Sequence, residues 1–166
     1  MKRVKIPEPG TAEESLMIGD RFRIVREIGH GAAGVVYEGV QLSVDRRVAI
    51  KVLHRDRQNR DDYEERFSRE AKAIGRLSHS NCITLYDFGY SEEFESLFMA
   101  MEYIDGKELF ELTKDEILPL KTALQIGIQI AEAIGHAHKH GILHRDLKPE
   151  NVLVTSCLLY TSDAAD

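Results

Sequence analysis

The chain has 166 residues, 43% of them apolar and 30% charged, with a formal net charge of −6. That length and composition suit one soluble domain with a core of its own. The acidic balance argues against a nucleic-acid partner, which would need a basic excess to meet phosphates. No apolar run approaches the roughly 20 residues that cross a bilayer, so no membrane segment is expected in this chain. The two cysteines, Cys82 and Cys157, make no disulfide framework, and a reducing, cytoplasmic setting is expected.

In chain order, residues 1–18 are rich in proline and charge and read as a disordered tail. Residues 1–10 carry basic groups with no apolar segment behind them, which is not a signal-peptide pattern. Phe22, Ile24 and Ile28 alternate with polar neighbours and predict a strand over 22–28. Runs rich in β-branched residues at 35–40 and 47–53, separated by the polar turn Ser43-Val44-Asp45-Arg46, predict two more. From residue 61 to 78 the period becomes helical, with Tyr63, Phe67, Ile74 and Leu77 on one face. Strands are expected again over 83–88 and 97–103. Residues 120–139 predict a long helix, apolar at Ala123, Ile126, Ile130, Ala133 and Ala137 and again at Leu124, Ile128, Ala131 and Ile134. A helix apolar around most of its girth is expected to be buried. The order describes an antiparallel sheet with one helix, followed by a helical region: an α+β architecture.

Three stretches carry chemistry. Gly29-His30-Gly31-Ala32-Ala33-Gly34-Val35-Val36 is G-x-G-x-x-G-x-V, whose backbone N–H groups can approach phosphates because no Cβ intervenes. A dinucleotide-binding fold uses similar glycines but follows the last with a helix, whereas Gly34 opens a strand. Taken alone, an ordinary glycine-rich hairpin remains the alternative. Lys51 is the one charge in Val48-Ala49-Ile50-Lys51-Val52-Leu53, and alternation puts it on the face of Ala49 and Leu53, pointing inward. An inward ammonium needs an anion. Glu70, within the apolar stripe of the predicted helix, is the expected partner at about 4 Å or less; two unrelated surface charges are the alternative.

The third stretch is His144-Arg145-Asp146-Leu147-Lys148-Pro149-Glu150-Asn151, a loop stiffened by Pro149. Its spacing suits phosphoryl transfer. Asp146 can accept the proton of an attacking hydroxyl, Lys148 can neutralise the migrating oxygens, and Asn151 can ligate magnesium through its amide oxygen. His136 and His140, four apart, invite a zinc reading, but Ala137 follows His136 where H-E-x-x-H needs its acid. Histidines near a helix C-terminus suit the macrodipole, and Gly141 is expected to close that helix.

Together these stretches resemble the eukaryotic-like (bacterial Hanks-type) serine/threonine protein kinases, with their G-x-G-x-x-G-x-V, V-A-I-K and H-R-D-L-x-x-x-N signatures. The resemblance runs over residues 20–154. It implies a protein-kinase-like fold: a partial kinase domain over 20–155, with an antiparallel-sheet N-lobe over 20–104, a boundary near 105, and the first helices of an incomplete C-lobe over 105–155. It implies ATP with Mg²⁺ as donor and a Ser/Thr hydroxyl on a protein substrate as acceptor. It places the nucleotide against Ile28, Gly29, His30, Gly31, Ala32, Ala33, Gly34, Val36, Ala49, Lys51, Met101, Glu102, Ile104 and Leu153. The catalytic set it implies is Asp146, Lys148, Asn151, Lys51 and Glu70, with Asn151 as a metal ligand. Lys148 fits the serine/threonine class rather than the tyrosine class, and Arg145 resembles the arginine that meets a phosphorylated activation loop.

After residue 155 the pattern fails. Residues 156–166 bring Asp163 near the place of the metal-binding Asp, but Ala164-Ala165 follows instead of Phe-Gly, so they read as a non-native read-through tail. The parent is expected to phosphorylate proteins and this chain to be a truncated, inactive fragment of it, cytoplasmic unless the parent is anchored beyond the truncation. The alternatives are a non-catalytic nucleotide-binding or docking module, disfavoured by intact Asp146 and Asn151, and a small-molecule kinase of related fold.

Overall fold

The computed structural model describes residues 16–54 and 60–155. Among them, β1 (Met17–Ile18), β2 (Phe22–Gly31), β3 (Gly34–Gln41), β4 (Arg46–Leu53), β5 (Leu85–Ser91) and β6 (Ser96–Glu102) form one antiparallel sheet in the order β1-β2-β3-β4-β6-β5. The helix α1 (Arg60–Ile74) lies between β4 and β5 in sequence. β7 (Gly106–Glu108) pairs with β8 (Leu153–Thr155), and between them come α2 (Leu109–Lys114), α3 (Leu120–Lys139) and a 3-10 turn, Pro149–Asn151. The chain divides into two compact units. The first runs through Arg76 and returns at Thr84–Tyr103; the second takes Leu77–Ile83 and the residues from Ile104 onward.

In the first unit, period-two alternation decides which residues meet. β3 and β4 pair without a bulge from Gly34↔Leu53 to Gln41↔Arg46. Successive side chains point to opposite faces. Tyr37, Val48, Ile50 and Val52 therefore share one face and join Ile18, Phe22, Ile24, Phe98 and Ala100 in the core. Phe22 and Phe98 are fully buried and meet edge-on, with ring centroids 5.9 Å apart. Val36, Glu38, Ala49 and Lys51 take the opposite face. There Glu38 is only 8% exposed, and charge partners make that burial tolerable. Arg47 Nε lies 2.6 Å from its Oε1 and Arg26 Nη2 lies 2.7 Å from its Oε2. The Arg47 hydrogen bond does most to hold the Glu38 carboxyl below its ordinary range, against the opposing effect of burial.

Three expectations change. The tail assigned to residues 1–18 ends too late: Met17–Ile18 is a strand paired with β2, Ile24 N–H donates to the Leu16 carbonyl at 2.8 Å, and Ile18 is a core residue. An apolar pair inside a charged stretch was enough to add an edge strand. The helix predicted over 61–78 stops at Ile74, where Gly75, a poor helix former, follows. Its last predicted apolar residue, Leu77, belongs to the second unit. In α3 only Ile126 and Ala137 are buried, while Leu120, Leu124 and Ile128 are 75%, 58% and 58% exposed. These three lie at spacings of four, one side of the helix, and no described element covers them.

Within the second unit, α3 ends as expected. Gly141 adopts φ +73°, its N–H reaches the His138 carbonyl at 2.9 Å, and Ile142 N–H reaches Ala137 at 3.0 Å. The Leu77–Ile83 segment meets α3 through Asn81 Nδ2, which donates to Gln129 Oε1 at 3.1 Å. No helix among the described residues is long and apolar enough to cross a membrane.

Two measurements check this packing. Phe98→Ala should lower unfolding free energy by about 3–5 kcal/mol in urea titrations, as for a large buried aromatic, whereas exposed Val44→Ala should change it by less than about 0.5 kcal/mol. Glu38 contributes stability above its unfolded-chain pKa and loses it as pH falls through the lowered folded value. The deficit of Glu38→Gln relative to the unaltered chain should therefore be widest at neutral pH and shrink in acid; an equal deficit at both would contradict the assignment.

Candidate active-site residues

The glycine motif is the β2–β3 hairpin. Gly29, His30 and Gly31 end β2, Ala32 and Ala33 make the turn, and Gly34 begins β3. Gly34 has a steric reason for its identity: a Cβ there would sit 2.1 Å from the Val52 carbonyl oxygen and 2.9 Å from Leu53 Cα. At Gly31 a Cβ would meet nothing within 4 Å, so the chain's own packing does not require glycine there. The absence of a side chain leaves its backbone open to an approaching group.

On the face opposite the core, register brings together what the sequence kept apart. Val36 pairs with Lys51, and Ala49 pairs with Met101. Glu102 follows Met101 at the end of β6, and Tyr103 beyond it is covered by the Arg47 guanidinium, whose Cζ lies 3.8 Å from the ring centroid. Ile28 lies on β2, while Ile104 and Leu153 fall in the second unit.

Lys51 is half-buried on the face opposite the core, and the expected pair is not formed. No ion pair joins Lys51 to Glu70, whose side chain is exposed. The buried side of α1 is built on Phe67 and Ala71, with Phe67 meeting Phe88 of β5 at 6.0 Å. Glu70 lies at the edge of that stripe, one residue before Ala71, and its carboxylate takes the solvent.

The 144–151 loop is tied together through Asp146. Asn151 Nδ2 donates to the Asp146 carbonyl at 2.7 Å and to its Oδ2 at 3.1 Å, and Lys148 Nζ stands 3.2 Å from Oδ2. Arg145 takes φ +62°, a left-handed conformation that costs a non-glycine residue about 1–2 kcal/mol. Asp146 N–H then closes on the His144 carbonyl at 2.8 Å, turning the carboxylate toward Lys148 and Asn151. The Pro149–Asn151 turn follows, with Asn151 N–H on the Lys148 carbonyl at 2.9 Å. Lys148 and then Asn151 hold the Asp146 carboxyl below its ordinary range, so it is ionised at neutral pH. With its amide nitrogen spent on Asp146, Asn151 keeps Oδ1 as a hard oxygen donor of the kind magnesium takes. Asp163 lies outside the described residues.

The zinc reading gains nothing. His136 packs against His140 at 4.5 Å and His79 at 5.1 Å between ring centroids. No group of three or more His, Cys, Asp or Glu side chains is placed to hold a metal among the described residues. Sequence reasoning missed His54, which follows β4. Its N–H donates to the Ala33 carbonyl at 3.1 Å, its Nε2 lies 3.0 Å from the Gly31 carbonyl, and its ring sits 5.6 Å from that of His30. No sequence pattern advertises a contact with a backbone atom 23 residues away.

Residues 22–159 match the protein kinase domain family. Serine/threonine-protein kinase pkn2 of Myxococcus xanthus is 40% identical over 144 residues, covering 87% of this chain and 17% of that protein. PrkC of Bacillus subtilis is 42% identical over 138 residues, covering 82% of the chain and 21% of the relative. The probable kinase PknB of Lactococcus lactis is 44% identical, covering 84% and 22%. The chain thus spans about a fifth of the length of these curated relatives. Among solved structures, the Mycobacterium tuberculosis PknI kinase domain matches with a TM-score of 0.74 at 31% identity, covering 86% of this chain and 58% of that one. With residues 22–159 of its 166 matched, the chain belongs to the protein kinase domain family.

Proposed function

We propose that the protein of which this chain is part transfers the γ-phosphoryl group of ATP to serine or threonine hydroxyls of a protein substrate. The observation that carries this reading is the Asp146 carboxylate, with Lys148 Nζ 3.2 Å from its Oδ2 and Asn151 Nδ2 donating to the same oxygen at 3.1 Å. An ionised carboxylate orients an alcohol and accepts its proton as the phosphoryl group moves. Lys148, still half-exposed, is free to shift its ammonium from Asp146 to phosphoryl oxygens, because water screens a solvent-exposed pair and leaves it only weakly held. The first unit supplies the Gly29–Gly34 backbone and Lys51 for the phosphates, and Val36, Ala49 and Met101 as apolar surface for a flat base. Asn151 Oδ1 would hold a magnesium ion, which would supply positive charge to offset that of the phosphates.

The test is phosphate transfer from γ-labelled ATP to a generic protein acceptor by the protein encoded at the natural locus. Asp146→Asn should reduce turnover by roughly 10²–10⁴-fold, the usual worth of a positioned acid–base group, with the KM for ATP within about two-fold of the unaltered protein. Turnover surviving the change would remove Asp146 from the mechanism, and phosphorylation of a small-molecule alcohol with no protein product would point to the related small-molecule kinases.

The pH profile gives a second check. Lys148 is the largest cause of the lowered Asp146 pKa in the free protein, so Lys148→Ala should move the acid limb of kcat/KM to higher pH. An unmoved acid limb would mean that another group sets it.

A further inference from the structure

Resting on the nucleotide reading above, we propose that His54 is a positioning residue that fastens the tip of the glycine hairpin and so sets the affinity for the phosphate end of the nucleotide. A carbonyl oxygen only accepts, so the 3.0 Å contact requires His54 to carry its proton on Nε2 and donate it to Gly31 O. The contact is not isolated. His54 N–H on the Ala33 carbonyl extends the β3–β4 ladder one step past the Gly34↔Leu53 pair. That step places the imidazole beside the turn, and the His30 ring packs against it at 5.6 Å.

The position of Gly31 gives the contact its consequence. Among the described residues nothing lies within 4 Å of where a Cβ on Gly31 would sit, and Ala32 and Ala33 at the turn are exposed. The hairpin tip therefore has few contacts to hold it in one conformation. A tip free to sample many conformations must be ordered when phosphates arrive, and that ordering subtracts from affinity. One hydrogen bond to the Gly31 carbonyl, where the turn begins, removes part of the cost beforehand. The effect belongs to groups that touch the tip, so a nucleoside without phosphates should not feel it.

Three variants of the full chain separate the roles of the imidazole. His54→Ala removes ring and donor, His54→Phe keeps a ring against His30 without a donor, and His54→Gln places an amide N–H near the position of Nε2. In the nucleotide-free chain, the Gly31 carbonyl ¹³C shift should move, and the Ala32, Ala33 and Gly34 amides should gain fast motion, in the Ala and Phe variants but not in the Gln variant. Titration with Mg·ATP should then show weakening of about five-fold for Ala and Phe, the worth of one hydrogen bond, and near-normal affinity for Gln. Adenosine should bind all four chains alike. Unchanged Gly31 and Ala32–Gly34 signals in the Ala and Phe variants would overturn the fastening. Equal weakening for adenosine and Mg·ATP would show a general structural role and overturn the phosphate-specific claim. Free-chain signals that respond as expected, in a chain binding no nucleotide at all, would uphold the fastening and overturn the nucleotide reading beneath it.

Discussion

Gly34 cannot carry a side chain, because β4 runs against it at the Val52 carbonyl. That close approach starts the β3–β4 ladder at Gly34↔Leu53, and the pairs that follow are a consequence of it. Val36 falls opposite Lys51, Glu38 opposite Ala49, and the intervening Tyr37 opposite Ile50. A slip of one residue would exchange the two faces. A slip of β4 would send Lys51 into the core and bring Ile50 to the face that carries the charge. The hydrophobic core therefore enforces the arrangement of the polar face. The same ladder, one step further, delivers His54 to the hairpin tip.

The second unit solves a different problem, that of holding a carboxylate in a loop with no core around it. Asp146 is 69% exposed at its side chain, so apolar burial does not position it. Its placement comes from polar geometry: the strained backbone at Arg145, the return of Asn151 onto Asp146, and the fixed φ of Pro149. Anchoring for the loop comes from the short ladder of β7 with β8 and from the Leu109 N–H bond to the Val152 carbonyl at 2.8 Å. Exposure also explains why Lys148 is useful. A fully buried pair would hold the ammonium too firmly to be shared with an incoming anion.

Much of this was legible in the sequence because alternation and loop spacing are local. The six-stranded sheet's long members, the hairpin at Gly29–Gly34 and the αL cap at Gly141 all follow from neighbouring residues, whereas Lys51, expected to point inward, stands half-buried on the face opposite the core. What escaped depends on tertiary geometry. Glu70 sits only one residue from Ala71, and sequence period cannot tell which of the two a helix tilted onto Phe88 will bury. β1, β7 and α2 are two, three and six residues long, too short for any period to register. The girth of α3 promised burial, but apolar pattern reports what a surface prefers, not what lies against it. His54 was invisible for the plainest reason: its partners are backbone atoms, and every residue has those.

The central proposal is that the Asp146–Asn151 loop receives a metal–nucleotide complex through Asn151 Oδ1. Manganese in place of magnesium tests it most directly, because a paramagnetic ion broadens NMR signals only near where it sits. With ATP present, Mn²⁺ should broaden the Asn151 side-chain amide and the Asp146 signals, and excess Mg²⁺ should reverse the effect. Broadening confined to other acidic or histidine-rich surfaces, or the same broadening without nucleotide, would contradict the account.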